Sequence, residues 1–137
     1  MRVFLDEGAY PPERAHETDA GLDIRARHGQ IICSKASAVF HTGVHIDLPE
    51  GTAGLLVSKS GLYTKHDLIS TGLIDEGYTG EIIVKVTNLG DFDYMIGKGD
   101  KISQLVIIPV RYESVEIVSE IWKSKGRGTG GFGSTGR

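Results

Sequence analysis

GVHIDLPEGTAGLLV, residues 43–57, is the stretch that decides the fold. Val44, Ile46 and Leu48 alternate with His45 and Asp47, which puts the apolar side chains on one face of an extended chain. Pro49-Glu50-Gly51 then supplies turn residues, and Ala53–Val57 resumes as a second short strand. A helix would need the apolar residues three and four apart, and they are not.

The same pattern continues in both directions. Ile82, Val84 and Val86 alternate with Ile83, Lys85 and Thr87, while KISQLVIIPV (101–110) is apolar almost throughout, as a strand covered on both sides would be. Shorter strand candidates are Val3–Leu5, Leu22–Ala26, Gln30–Ile32, Ala38–His41, Phe92–Ile96 and Val115–Ile121. Breaks fall at Thr42-Gly43, Asn88-Leu89-Gly90-Asp91 and Gly97-Lys98-Gly99-Asp100. Short, closely punctuated strands predict an all-β domain, an antiparallel barrel or double sheet of jelly-roll type. Only SGLYTKHDL (60–68) has room for a helix, of two turns with Ser60 as its cap. There is no internal repeat. The chain therefore divides into a β-barrel domain over 1–125 and a glycine-rich arm over 126–137, where apolar periodicity is lost.

Composition narrows the function. With 137 residues, 39% of them hydrophobic and 24% charged, the chain is one globular domain. Its 19 glycines against 4 prolines suit strands joined by tight turns. A net charge of -3 argues against binding nucleic acid through a basic face, yet a small anionic ligand needs only a few local cations. A single cysteine, Cys33, excludes an intrachain disulfide and a cysteine-built zinc site, and its apolar neighbours mark it as a small core filler. No run approaches the roughly 20 apolar residues of a membrane span, so a reducing cytoplasm is expected. The histidines show no metal-ligand spacing, and Tyr112 and Trp122 are expected to close the core or an interface.

Five segments carry chemistry. In GRGTGGFGSTGR (126–137) the order of glycines mimics a dinucleotide fingerprint, but no helical pattern follows to make one. Taken alone it reads first as a flexible tail, although Arg127, Ser134 and Thr135 suit phosphate and Phe132 suits a base. GLIDEGYTG (72–80) is either a plain turn or a rim that presents Asp75 as a general base. Asp19 and Asp23 are either solvated loop acids or oxygen ligands for Mg²⁺ and its waters. Ser58, Lys59 and Ser60 are either a helix cap and a surface lysine or a phosphate cradle. Gln104, an amide in an apolar strand, either makes a structural hydrogen bond or faces a ligand.

The order of these segments is more specific than any one of them. AGLDI (20–24), SKSGL (58–62), GLIDEGYTG (72–80), GDKISQL (99–105) and RGTGGFGSTG (127–136) together resemble the five ordered motifs of the trimeric dUTPase family. The resemblance implies a homotrimeric jelly-roll enzyme, a dUTP diphosphatase that uses Mg²⁺ to convert dUTP to dUMP and pyrophosphate. Such an enzyme limits uracil in DNA and supplies dUMP for dTMP synthesis. It further implies that Asp75 activates the attacking water, that Tyr78 packs against the deoxyribose, and that Asp23 holds waters on a Mg²⁺ chelated by the phosphates. Ser60 and Gln104 would contact phosphate oxygens, with Ser58, Lys59 and Gly61 beside them. Gly72, Ile74 and Ile83 would line the nucleoside site. Arg127, Ser134 and Thr135 would grip the outer phosphates from a neighbouring subunit, while Phe132, between Gly131 and Gly133, stacks over uracil.

Three positions depart from the family pattern. Ser58-Lys59-Ser60 stands where Pro-Arg-Ser is usual, so the cation is kept and the planar fork lost. Ile69 stands where many members carry an asparagine for uracil, which leaves base reading to backbone groups between Ile69 and Val84. Ile24 replaces a leucine without consequence. Two other readings are a regulatory protein that uses this scaffold to bind a partner, and a dCTP deaminase of the same fold. The short chain counts against the first, the complete tail motif and Tyr78 against the second.

Overall fold

The computed structural model describes residues 1–122, and within them ten strands and one helix form. In chain order these are β1 (Arg2–Leu5), β2 (Gly21–Arg25), β3 (Gln30–Ile32), β4 (Ser37–His41), β5 (Val44–Asp47) and β6 (Thr52–Val57). Then come α1 (Ser60–His66), β7 (Leu68–Ile74), β8 (Ile83–Asn88), β9 (Tyr94–Ile96) and β10 (Lys101–Pro109). A six-stranded sheet in the order β2-β10-β6-β7-β8-β4 curls into a half-barrel, accompanied by the ribbons β1-β5 and β3-β9. All the pairings are antiparallel. The expected all-β architecture with one short helix is what the chain builds.

Alternation places the core. Val44, Ile46, Leu48, Ile82, Val84 and Val86 are all buried, while the intervening His45, Asp47, Ile83 and Lys85 are not. Leu56, Leu105 and Ile74 join them from β6, β10 and β7. Gly54 in β6 is there for closeness: a Cβ would lie 2.9 Å from Leu105 Cδ1. The bend between β5 and β6 turns on Gly51, whose φ of +71° a side chain would oppose.

Several expectations need correction. β7 runs through residues assigned in part to a helix and in part to a turn. Its centre, Ser70-Thr71-Gly72, breaks the apolar alternation because buried Ser70 is satisfied by partners instead of by packing: its amide donates to Ser58 Oγ (2.9 Å) and its hydroxyl to Ser103 Oγ (3.0 Å). The helix stops at His66, and Ser60 is its first residue, not its cap. The capping position is Lys59, in extended conformation and with no side-chain cap bond. The helix ends because Asp67 takes a left-handed conformation (φ 53°).

Cys33 is exposed rather than a core filler. It follows Ile32 at the end of a three-residue strand, so alternation that buries Ile32 turns Cys33 outward. Residues 115–121 form no strand, and Val115 and Ile117 are almost wholly exposed. Tyr112 and Trp122, 71% and 76% exposed, do not close the core of this chain. β10 is covered on both faces only near its middle: Ile102, Ser103 and Leu105 are buried, and the strand opens to half-exposure from Val106 onward.

Candidate active site

Of the predicted site residues in the described chain, Asp23, Lys59 and Gln104 line one cavity and Gly72, Ile74, Asp75, Tyr78 and Ile83 another, with no lining residue in common, while Ser58, Ser60 and Gly61 line neither. Around the first, of about 290 Å³, stand Asp19, Gly21, Asp23, Lys59, Lys101 and Gln104. Asp23 is its centre. The side chain is buried, with Oδ1 2.5 Å from Lys59 Nζ and Oδ2 2.6 Å from Lys101 Nζ. Burial alone would raise its pKa, but the hydrogen bonds and charges of Lys101 and Lys59 outweigh that and hold the carboxyl below its ordinary value. Two ammonium groups share this one buried carboxylate, while Asp19, the second acid of the lining, accepts the His16 amide (3.0 Å), so the lysines and acids of the pocket balance in number.

Lys101, which the sequence did not single out, owes its place to a bulge. Gln104 pairs directly with Asp23, and Lys101 with Arg25, although between Lys101 and Ser103 the register shifts. The extra residue, Ile102, changes the parity of the strand, so Lys101 and Gln104 share the face of Asp23 despite their odd separation. Gln104 packs against Gly21, where a Cβ would come within 3.0 Å of its own Cβ. Its side chain is half-buried and lines the cavity. Ser58 is engaged differently: it accepts the Ser70 amide and donates to the Ser70 carbonyl (3.1 Å), a clamp between β6 and β7. Ser60 and Gly61 lie exposed at the start of α1.

Around the second cavity, of about 300 Å³, stand Gly72, Leu73, Ile74, Asp75, Tyr78, Glu81, Ile82 and Ile83, with Leu56 beneath. It exists because β7 and β8 part company. They pair from Leu68↔Asn88 to Ser70↔Val86 and no further, after which Thr71–Ile74 pair only with β6 and Ile83–Lys85 only with β4. Two strand edges with unpaired backbone groups therefore face each other across the slot, and Ile69 lies below it in the paired part.

Asp75 is exposed at the mouth, on a turn closed by the Tyr78 amide donating to the Asp75 carbonyl (3.2 Å). Gly77 takes the positive φ (+79°) that the third position of such a turn requires. The Tyr78 hydroxyl donates to the Glu81 carbonyl (3.1 Å), which lays the ring along the lip of the slot. Gly80 leaves room for it, since a Cβ there would fall inside the ring. Glu81, also missed from sequence, accepts the Gly43 amide (2.7 Å) and lies 2.8 Å from His41 Nδ1. Burial would raise its pKa, but those two bonds prevail and lower it.

Arg127, Gly131, Phe132, Gly133, Ser134 and Thr135, expected to bind substrate, and the expected boundary at 125/126 lie outside the described residues.

One cavity thus holds two lysines around a buried carboxylate, and the other is an apolar slot with a carboxylate at its mouth. Residues 8–136 match the family model described as dUTPase. The deoxyuridine 5'-triphosphate nucleotidohydrolase of Clostridium acetobutylicum is 44% identical over 135 residues, covering 96% of this chain and 92% of that protein. The enzyme of the same name from Kluyveromyces lactis is 35% identical and covers 92% of this chain and 86% of its own length. Among solved structures, the dUTPase of Staphylococcus bacteriophage 80alpha with dUpNHpp superposes with a TM-score of 0.92 at 34% identity, covering 99% of this chain and 98% of that one. A mutant dUTPase from phage phi11 of S. aureus, described with a coordinated structural Mg(II) ion, superposes at 0.81 with 33% identity, covering 89% of this chain and 98% of that one. The chain belongs to the dUTPase family.

A metal must fit the donors present. No group of three or more His, Cys, Asp or Glu suited to a metal occurs among the described residues. Asp23 is a single carboxylate with both oxygens already on ammonium groups. This donor set cannot cage a cation. It fits one that arrives on phosphate oxygens and keeps its own waters. No helix among the described residues is long and apolar enough to cross a membrane.

Proposed function

We propose that this chain hydrolyses dUTP to dUMP and pyrophosphate by attack of water on the α-phosphorus. The observation that carries the reading is the parting of β7 and β8, which opens a slot with Asp75 and Tyr78 at its mouth. Uracil presents an acceptor, a donor and an acceptor along one edge, and an unpaired strand edge offers complementary backbone groups. That suits a chain with Ile69 where an asparagine is usual. Tyr78 along the lip packs against the sugar and disfavours a 2′-hydroxyl. Asp75 takes a proton from the attacking water. The pocket around Asp23 receives the phosphates through Lys59, Lys101 and Gln104. Mg²⁺ brought by the triphosphate would neutralise its charge, and Asp23 is the residue whose carboxylate would meet the waters of that ion.

Sheet geometry supports a site shared between subunits. Residues paired directly across antiparallel strands lie on the same face. Asp23, Gln104, Val57 and Thr71 are paired in that way, and so are Leu105, Leu56 and Gly72, one residue along and hence on the opposite face. Gly72 and Ile74 of the slot thus face away from Asp23 and Gln104, and only Leu73 of its β7 lining shares their face, which favours a dUTP that takes its phosphate contacts and its nucleoside contacts from two copies. A homotrimer meets that need around its three interfaces, with the arm over 126–137 closing a neighbour's site through Arg127, Phe132, Ser134 and Thr135.

The test is pyrophosphate release from dUTP, dTTP, dCTP and UTP, with and without Mg²⁺. Turnover of dUTP should exceed the others by at least about a hundredfold, the discrimination available when a buried polar edge is left unmatched. Equal rates on all four would sink the proposal, and ammonia release from dCTP would replace it with the deaminase reading.

A further inference from the structure

Glu76 occupies the second position of the turn that begins at Asp75. The backbone bond from Tyr78 to Asp75 sets the shape of that turn but not its angle to the sheet. The Asp75 carboxylate anchors nothing, since it makes no hydrogen bond among the described residues. Glu76 supplies the anchor. Its Oε2 accepts the Gly51 amide (2.9 Å) and the Tyr112 hydroxyl, and the Gly51 carbonyl in turn accepts the Val110 amide (2.9 Å). One carboxylate oxygen joins the Asp75 turn, the bend between β5 and β6, and the segment that leaves β10.

We infer that Glu76 and Tyr112 are a positioning pair: they hold the Asp75 turn at its working angle and tie it to the base of the C-terminal segment. The inference rests on the proposed hydrolysis of dUTP and adds to it a link between water activation and the segment that leaves β10. The Tyr112 ring is 71% exposed, so packing does not hold it; its hydroxyl is held by Glu76. The bond from Tyr112 and then the one from Gly51 keep the Glu76 carboxyl below its ordinary pKa, so the acceptor is charged at neutral pH and both bonds are charge-assisted. The same bond raises the Tyr112 phenol, with the Asp75 charge as a smaller contributor, which places Asp75 within electrostatic reach of the pair.

The experiment is steady-state kinetics on dUTP for the full chain and for Glu76→Ala, Glu76→Gln and Tyr112→Phe, with the melting temperature of each. Displacing a catalytic group by a fraction of an ångström costs rate more than affinity, so Glu76→Ala should lower kcat about tenfold and leave KM within about twofold. Because both donors converge on one oxygen, the carbonyl of Gln can replace it. Glu76→Gln should recover most of the loss, and Tyr112→Phe should fall between. Unchanged kcat in Glu76→Ala would overturn the inference, as would a loss that Gln fails to rescue and that follows the melting temperature. If Glu76→Ala does not fold, Tyr112→Phe decides, since it removes one oxygen from an exposed ring. A full chain without dUTP turnover would take down the hydrolysis proposal and this one together; an active chain with indifferent variants takes down this one alone.

Discussion

The two halves of the site are organised by opposite means. Around Asp23, charge is matched by charge: a buried carboxylate between two lysines fixes the pocket before any ligand arrives. Around Asp75, nothing grips the functional group. The carboxylate stands exposed on a turn, and order comes from the scaffold around it: the Tyr78 bonds, the Glu76 anchor and the parting of two strands. A triphosphate brings several negative charges whose positioning dominates phosphoryl transfer, so its half gains from preset cations. A group that must take a proton from water gains from a carboxylate not already committed to a partner.

That contrast is broken most directly at Asp75. Asp75→Asn keeps the shape of the turn and removes the proton acceptor, so turnover of dUTP should fall by about 10²–10⁴-fold, the range for loss of a general base. Nucleotide affinity, measured with a non-hydrolysable dUTP analogue, should be kept within a few-fold. Retained turnover would mean that the exposed carboxylate is only a turn residue. The next largest effect is expected from removing residues 126–137: kcat/KM should drop by about a hundredfold or more if, as proposed, the arm supplies Arg127 to the phosphates and shields the site from water. The melting temperature should stay in place, as β1 to β10 all precede the cut. Full activity of the truncated chain would leave the phosphate half to Lys59, Lys101 and Gln104 alone.

How legible each half was follows from the same physics. The scaffold showed itself wherever burial and polarity alternate, as at Val44, Ile46 and Leu48, because a half-buried strand writes its period into the chain. β7 did not, because Ser70 is buried by means of hydrogen bonds that come from Ser58 and Ser103, residues distant in sequence. The roles proposed for Asp75 and Asp23 stood as one of two alternatives in their own segments, and the order of five motifs was needed to favour them and to suggest that of Tyr78. Lys101 escaped notice because its orientation depends on the bulge at Ile102, and a one-residue change of register leaves no mark on a list of residue types. Glu76 and Tyr112 escaped for a related reason: a contact across thirty-six positions belongs to the fold, not to a local pattern.

The smallest effect, and the one that sharpens the comparison most, is expected at Asp23. Asp23→Asn keeps the volume and one oxygen but leaves Lys59 and Lys101 without a counter-charge. Because both lysines retain some contact with water, the loss should be on the order of 2 kcal/mol, less than for a fully buried pair broken on one side. Acid should reveal its origin. The folded Asp23 carboxyl titrates below its ordinary value of 3.8, so its ionised form contributes stability that is complete above that value and is lost as pH falls through the depressed folded value. Thermal melts of the full chain and the variant should therefore differ by a constant amount from neutrality down to about pH 5, and converge below pH 4 as the wild-type carboxylate protonates. A difference that persists unchanged in acid would mean that Asp23 acts through packing or hydrogen-bond geometry. In that case the pocket around Asp23 is not preset by its charge, and the contrast with the Asp75 half loses its basis.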